Sequence, residues 1–92
     1  MKLTRAHVLI SGKVQGVFFR ANTEHKAKEL ELKGYVKNTE DGKVEAVFEG
    51  PEDKVQEMIT WCRLGPIGSK VEDVKVDKEE PRDEFEGFLI RI

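Results

Sequence analysis

The sequence predicts an α+β fold, a two-layer sandwich in which two helices cover one face of an antiparallel sheet, and three observations carry that prediction. Apolar residues alternate with polar ones in five short segments, the pattern of strands with one face on a core. Two longer segments between them repeat their apolar residues at every third or fourth position, as a helix with one buried stripe does. The order is strand, helix, strand, strand, helix, strand, with a short extra strand at the end, and the 92 residues fit a single domain spanning 1–92.

Residues 6–12 read as the first strand. Val8 and Ile10 share one of its faces and His7 and Leu9 the other, and apolar side chains on both faces place it centrally in the sheet. After a loop containing Gly16, a helix is expected near 21–33, with Thr23, Ala27 and Leu30 along its buried line and Gly34 as its stop. Residues 35–38 form a short second strand. Asp41-Gly42 is a tight-turn signal, and beyond it a third strand alternates Val44, Ala46 and Phe48 with Glu45 and Glu49. Gly50-Pro51 opens the second helix, with Pro51 at the first helical position, where a missing N–H costs nothing. Val55, Met58, Ile59 and Cys62 fall at i, i+3, i+4 and i+7, and Gly65-Pro66 ends the helix. A fourth strand lies near 70–77 with Val71, Val74 and Val76, and a last one near 86–92 sets Phe88, Ile90 and Ile92 on one face. The charged run from Asp77 to Glu84 reads as a solvated connection. This order is that of the split β-α-β, ferredoxin-like sandwich.

Composition narrows the function. Sixteen basic and 18 acidic residues leave a net charge of -2, which does not supply the broad basic field of a nucleic-acid binder. No apolar run approaches the roughly 20 residues of a membrane span. A single cysteine, Cys62, forms no internal disulfide, and the N-terminal stretch has no apolar signal core, so a cytoplasmic location is expected. His7, His25 and Cys62 show no metal-ligand spacing, and neither a metal nor another cofactor is expected. His7 sits early in a strand and His25 in a polar helix turn, so each reads as an ordinary surface histidine. Cys62, Met58 and Trp61 read as core residues, and at least one of Phe18 and Phe19 as an anchor between loop and core.

The chemistry concentrates in Gly12-Lys13-Val14-Gln15-Gly16-Val17-Phe18-Phe19-Arg20. A strand ends there, a glycine-containing loop follows and a helix begins. A helix start presents unpaired backbone N–H groups and a partial positive charge. Gly16 lets successive backbone N–H groups converge on an anion, and Arg20 adds a planar fork matched to phosphate oxygens. Strands 1 and 2 are joined through a helix, so they run parallel and end at the same sheet edge. Asn38, at the end of strand 2, therefore faces the loop, where its amide can accept from a water and donate to a phosphate oxygen. The alternative is that Asn38 only shapes the following turn.

The first of these stretches resembles the first signature of the acylphosphatase family: a glycine, two residues, Gln-Gly-Val, one variable residue, then Phe-Arg. Gly34-Tyr35-Val36-Lys37-Asn38, leading to Asp41-Gly42, resembles the second. Residues 61–66 and the terminal Phe88-Leu89-Ile90-Arg91-Ile92 are also similar to the family, so the likeness covers nearly the whole chain. Two positions depart: Glu31, where many members carry glycine, and the final Ile92, where an aromatic is frequent. The resemblance implies a metal-free hydrolase of carboxyl-phosphate anhydrides. It implies that Arg20 holds the phosphate, that Asn38 orients the attacking water and that the backbone of Gln15, Gly16, Val17, Phe18 and Phe19 forms the phosphate loop. Implied partners are an acyl phosphate as substrate and inorganic phosphate as product and competitive inhibitor, with no nucleic acid and no membrane, and the expected state is a monomer. Two rival readings use the same features: a non-enzymatic binding module on the same sandwich, and an accessory domain in carbamoyl-phosphate chemistry.

Overall fold

The computed structural model describes residues 2–92. Strand β1 (Leu3–Lys13) leads through a loop into helix α1 (Phe19–Glu29). Strands β2 (Lys33–Asn38) and β3 (Val44–Pro51) form a hairpin, helix α2 (Glu52–Leu64) follows, and β4 (Lys70–Glu79) and β5 (Phe88–Ile90) complete the chain. The strands lie in the order β4-β1-β3-β2-β5. The pairs β4–β1, β1–β3 and β3–β2 are antiparallel, as the sequence predicts, while β5 adds to β2 in parallel, so the sheet is mixed at that edge. β4 runs opposite to β1, so a chain that turns back after β4 must run the same way as β1 and β2. β1 lies between β4 and β3, a central place that accounts for its apolar residues on both faces.

One face of the sheet carries Ala6, Val8 and Ile10 from β1, Val44, Ala46 and Phe48 from β3, and Val36 from β2, all fully buried. Both helices close over it. Helix α1 buries Phe19, Thr23 and Ala27, and α2 buries Val55, Met58, Ile59 and Cys62, the stripe its spacing predicts. Phe48 and Phe88 stack across the sheet with ring centroids 5.6 Å apart.

The element ends differ from expectation for local reasons. Helix α1 starts two residues earlier than predicted, because Phe18 takes a left-handed conformation (φ 59) and turns the chain into the helix there. It also stops at Glu29 instead of running to 33. Glu31 adopts φ 57, its N–H donates to the carbonyl of Lys28, and the N–H of Leu32 donates to that of Ala27. This paired pattern is the Schellman stop, with glutamate in the position glycine favours. Gly34 is therefore not the helix stop. It lies inside β2 at φ 140, where a Cβ would overlap the carbonyl of Val47 on the neighbouring strand. Pro51 ends β3 in an extended conformation and caps α2 instead of entering it. The last strand is shorter than predicted, and Ile92 stands fully exposed beyond it.

The charged run after Asp77 is not simply solvated. β4 continues to Glu79, and the segment beyond it docks onto the sheet face opposite the helices. Arg5, buried at 5% exposure, lies 3.0 Å from Glu79, 2.6 Å from Glu84 and 3.6 Å from Glu49. Burial alone would lower the pKa of Arg5, but Glu84 and Glu79 outweigh it and hold the guanidinium firmly charged. Glu49 accepts the backbone N–H groups of Arg82 (2.9 Å) and Asp83 (2.8 Å). Phe85 packs on Tyr35 at 5.8 Å between centroids, and Arg91 lies over Tyr35 at 4.1 Å. The signal that was missed is Arg5, a cation opposite Glu49 and Glu79 in the strand registers.

Candidate active site

A cleft of about 320 Å³ opens where β1 hands over to α1, lined by Val14, Gly16, Phe18, Phe19, Arg20, Ala21, Asn38 and Ile90. β3 lies antiparallel to both β1 and β2, so the two outer strands share a direction and end at one edge. That topology brings Arg20 and Asn38 to a common cleft across 18 positions of sequence.

Within the loop, Gly16 (φ 74) and Phe18 (φ 59) are both left-handed, one residue apart, a conformation that turns neighbouring N–H groups to the same side. No side chain caps the start of α1. The first N–H groups of a helix have no partner within it and carry its positive dipole end, and the residues that open α1, Phe19, Arg20 and Ala21, line the cleft. Apart from Gly16 and its two chain neighbours, no atom of the described residues lies within 4 Å of where a Cβ on Gly16 would stand, so the loop is open on that side. Phe19, only 1% exposed, fixes the helix start from below, its ring edge-on to Trp61 at 5.7 Å. Phe18 projects the other way at 81% exposure. Of the two phenylalanines, one anchors the loop, as the sequence predicts.

Arg20 opens the helix and lines the cleft, and it pairs with no carboxylate among the described residues. Asn38 closes β2, opposite Val44, and its Oδ1 is buried yet accepts no hydrogen bond from the described residues. A buried amide oxygen of this kind is normally satisfied, so one left without a partner in a residue that lines the cleft is a candidate acceptor for water. Among the loop residues, Gly16, Phe18 and Phe19 line the cleft, while Val17 packs against the core and Gln15 turns to the side.

The side chain of Gln15 has a role that its backbone assignment missed. Its Nε2 donates to the carbonyls of Thr39 (2.8 Å) and Lys43 (2.9 Å), tying the loop to the turn that follows Asn38. The Thr39 hydroxyl in turn accepts the N–H of Lys43 and donates to Asp41, holding the Asp41 carboxyl below its usual range. Val14 and Ile90 were also not singled out as lining residues. The alternating pattern of the last strand marks Ile90 as inward, but only the parallel pairing of β5 with β2 carries it to the site.

The residues set aside stay outside the cleft. His7 is bonded at 2.7 Å to Glu45, whose carboxyl this bond and Lys37 hold below its ordinary range. His25 is exposed on α1. Cys62 is fully buried, and burial pushes its thiol up to about 12. Among the described residues no three His, Cys, Asp or Glu side chains converge as metal ligands do, and no helix is long and apolar enough to cross a membrane.

The comparisons with known proteins agree with this geometry. The acylphosphatase family profile matches residues 6–90. An acylphosphatase of Roseiflexus is 52% identical over 90 residues, which cover 98% of this chain and 97% of that protein. One from Pyrobaculum aerophilum is 52% identical over 91 residues, covering 98% and 96%. The crystal structure of acylphosphatase from Bacillus subtilis superposes with a TM-score of 0.93 at 34% identity, over 99% of this chain and 100% of that one. Full-length HypF, in a phosphate- and nucleotide-bound form, contains the same fold at a TM-score of 0.85 and 26% identity, but there this chain covers only 12% of the partner structure. With both signatures folded round one cleft and matches of about half identity running nearly end to end, the chain belongs to the acylphosphatase family, whose function is the hydrolysis of acyl phosphates.

Proposed function

We propose that this protein hydrolyses the carboxyl-phosphate bond of acyl phosphates without a metal, releasing a carboxylate and inorganic phosphate, with Arg20 and the N–H groups of residues 15–19 holding the phosphoryl group and Asn38 aiming the water. The single observation that carries this reading is the shared cleft: Arg20, which pairs with no carboxylate among the described residues, the uncapped start of α1, and Asn38, whose buried Oδ1 accepts no hydrogen bond from them, line one space.

The chemistry follows from the leaving group. A carboxylate leaves readily, so no strong general acid is needed, and the demands that remain are holding, charge compensation and alignment. The phosphoryl oxygens sit in the N–H cradle, and the Arg20 fork takes two of them. These fixed dipoles and the guanidinium offset the charge of the transition state at no cost of reorganisation. Asn38 Oδ1 accepts a hydrogen bond from the water and turns a lone pair toward phosphorus. The water oxygen bonds to phosphorus while the bond from phosphorus to the acyl oxygen breaks, its electron pair leaving on the carboxylate. The water's proton passes to a phosphoryl oxygen of the substrate, since no side-chain base stands beside Asn38 in the cleft lining. Inorganic phosphate, the product, fits the same cradle and inhibits competitively. The chain acts as one domain over 1–92, as a monomer and in the cytoplasm.

Benzoyl phosphate hydrolysis in the presence of a chelator tests the reading. Activity is expected to survive chelation, and Arg20→Lys is expected to recover little of what Arg20→Ala loses, because a point charge does not replace a two-pronged fork. Activity restored only by an added divalent cation would contradict it.

A further inference from the structure

We infer that Phe18 selects the acyl group: its exposed ring is a platform on which aromatic and large apolar acyl phosphates rest, favouring them over small ones such as acetyl phosphate. This rests on the hydrolase reading above and deepens it by naming the substrate class.

Phe18 breaks two local rules at once. It holds a left-handed conformation (φ 59), which is strained for a bulky side chain, and it leaves its ring 81% exposed. Folding gains nothing from that ring, since Phe19 and Val17 supply the anchor to the core. Local costs carried without a packing return tend to gather at functional sites.

Its place in the cleft says what the ring meets. The phosphoryl end of a substrate belongs at the helix start, beside Arg20. The acyl end then extends toward the apolar residues of the lining, Val14, Phe18, Phe19, Ala21 and Ile90, and of its two phenylalanines Phe18 is the one with an exposed ring. A ring offers a flat face to an aromatic acyl group and broad apolar contact to an aliphatic one, and it offers little to a methyl group. The contact lasts into the transition state, because the acyl group is still bound as the bond to phosphorus breaks, so the selection shows in kcat/KM.

The experiment compares kcat/KM for benzoyl phosphate and acetyl phosphate in the parent, Phe18→Asn, Phe18→Ala and Phe18→Tyr. Asparagine tolerates the left-handed turn and removes the platform, so it separates loss of the ring from loss of the fold. The benzoyl-to-acetyl ratio is expected to fall about tenfold in Phe18→Asn and Phe18→Ala, the size of one modest aromatic contact, and to be retained in Phe18→Tyr. An unchanged ratio in Phe18→Asn overturns the role of Phe18 and leaves the hydrolase reading standing. Hydrolysis of neither substrate by the parent protein overturns both.

Discussion

Glu31 sits at φ 57, in the region where a side chain crowds the following carbonyl at a cost of roughly 1–2 kcal/mol that glycine avoids. Its hydrogen bonds explain why it accepts the conformation, since they close the last turn of α1 and free the chain to enter β2. No ion pair or side-chain hydrogen bond of Glu31 offsets the strain among the described residues. Glu31→Gly is therefore expected to stabilise the protein by about 1 kcal/mol, which for a chain of this length raises Tm by about 4–8 °C. Thermal unfolding followed by circular dichroism checks this, and an unchanged or lower Tm would mean that the glutamate side chain contributes an interaction of its own. Phe18 shares the left-handed conformation but differs in consequence, because it borders the cleft and Glu31 does not.

Between elements, the tie that ordinary patterning hides is the one from β4 to β5. The segment of residues 80–87 crosses the sheet face that the helices leave open, and Glu49 holds it there by accepting two backbone N–H groups while facing Arg5. Removing Glu49 leaves Arg5 with Glu79 and Glu84 but takes the acceptor from the N–H groups of Arg82 and Asp83, and a lost hydrogen bond to a charged group costs roughly 1.5–3 kcal/mol. Glu49→Ala is expected to lose about 3 kcal/mol or more in urea unfolding, with amide exchange accelerated first at Arg82 and Asp83. A loss under 1 kcal/mol would show that the crossing segment is held mainly by Phe85 on Tyr35. The helix faces were legible in the sequence because burial imposes their period directly: Thr23 and Ala27 on α1, and Val55, Met58, Ile59 and Cys62 on α2, all fall inward. The ends were less legible. Whether a helix stops at Glu31 or Gly34 depends on backbone angles that glutamate adopts only when the surrounding chain imposes them, and composition favours the wrong residue of the two. The parallel edge at β5 was hidden for a different reason: a strand of three residues takes its direction from the segment before it, and the charge pairs that steer that segment join residues as far apart as Arg5 and Glu84.

At the scale of the whole molecule, a helix between two parallel-running strands delivers a loop and a strand end to one edge, and that relation was legible from element order alone. It is why Gly16, Phe18, Phe19, Arg20 and Asn38 could be grouped before any distance was known, and the cleft they line is one space. The side-chain reach of Gln15 to Thr39 and Lys43 was not legible, since it depends on how far the turn after Asn38 folds back over the loop. The proposed mechanism divides labour across that edge, with holding on the β1–α1 side and alignment of water on the β2 side. The most direct test is to measure kcat for benzoyl phosphate together with the inhibition constant of inorganic phosphate in Arg20→Ala and Asn38→Ala. Division of labour predicts that Arg20→Ala loses phosphate affinity and nearly all turnover, whereas Asn38→Ala loses turnover by about a hundredfold or more, on the scale of a lost positioning contact, and binds phosphate nearly as the parent does. Equal loss of both quantities in Asn38→Ala, or retention of phosphate affinity in Arg20→Ala, would contradict it.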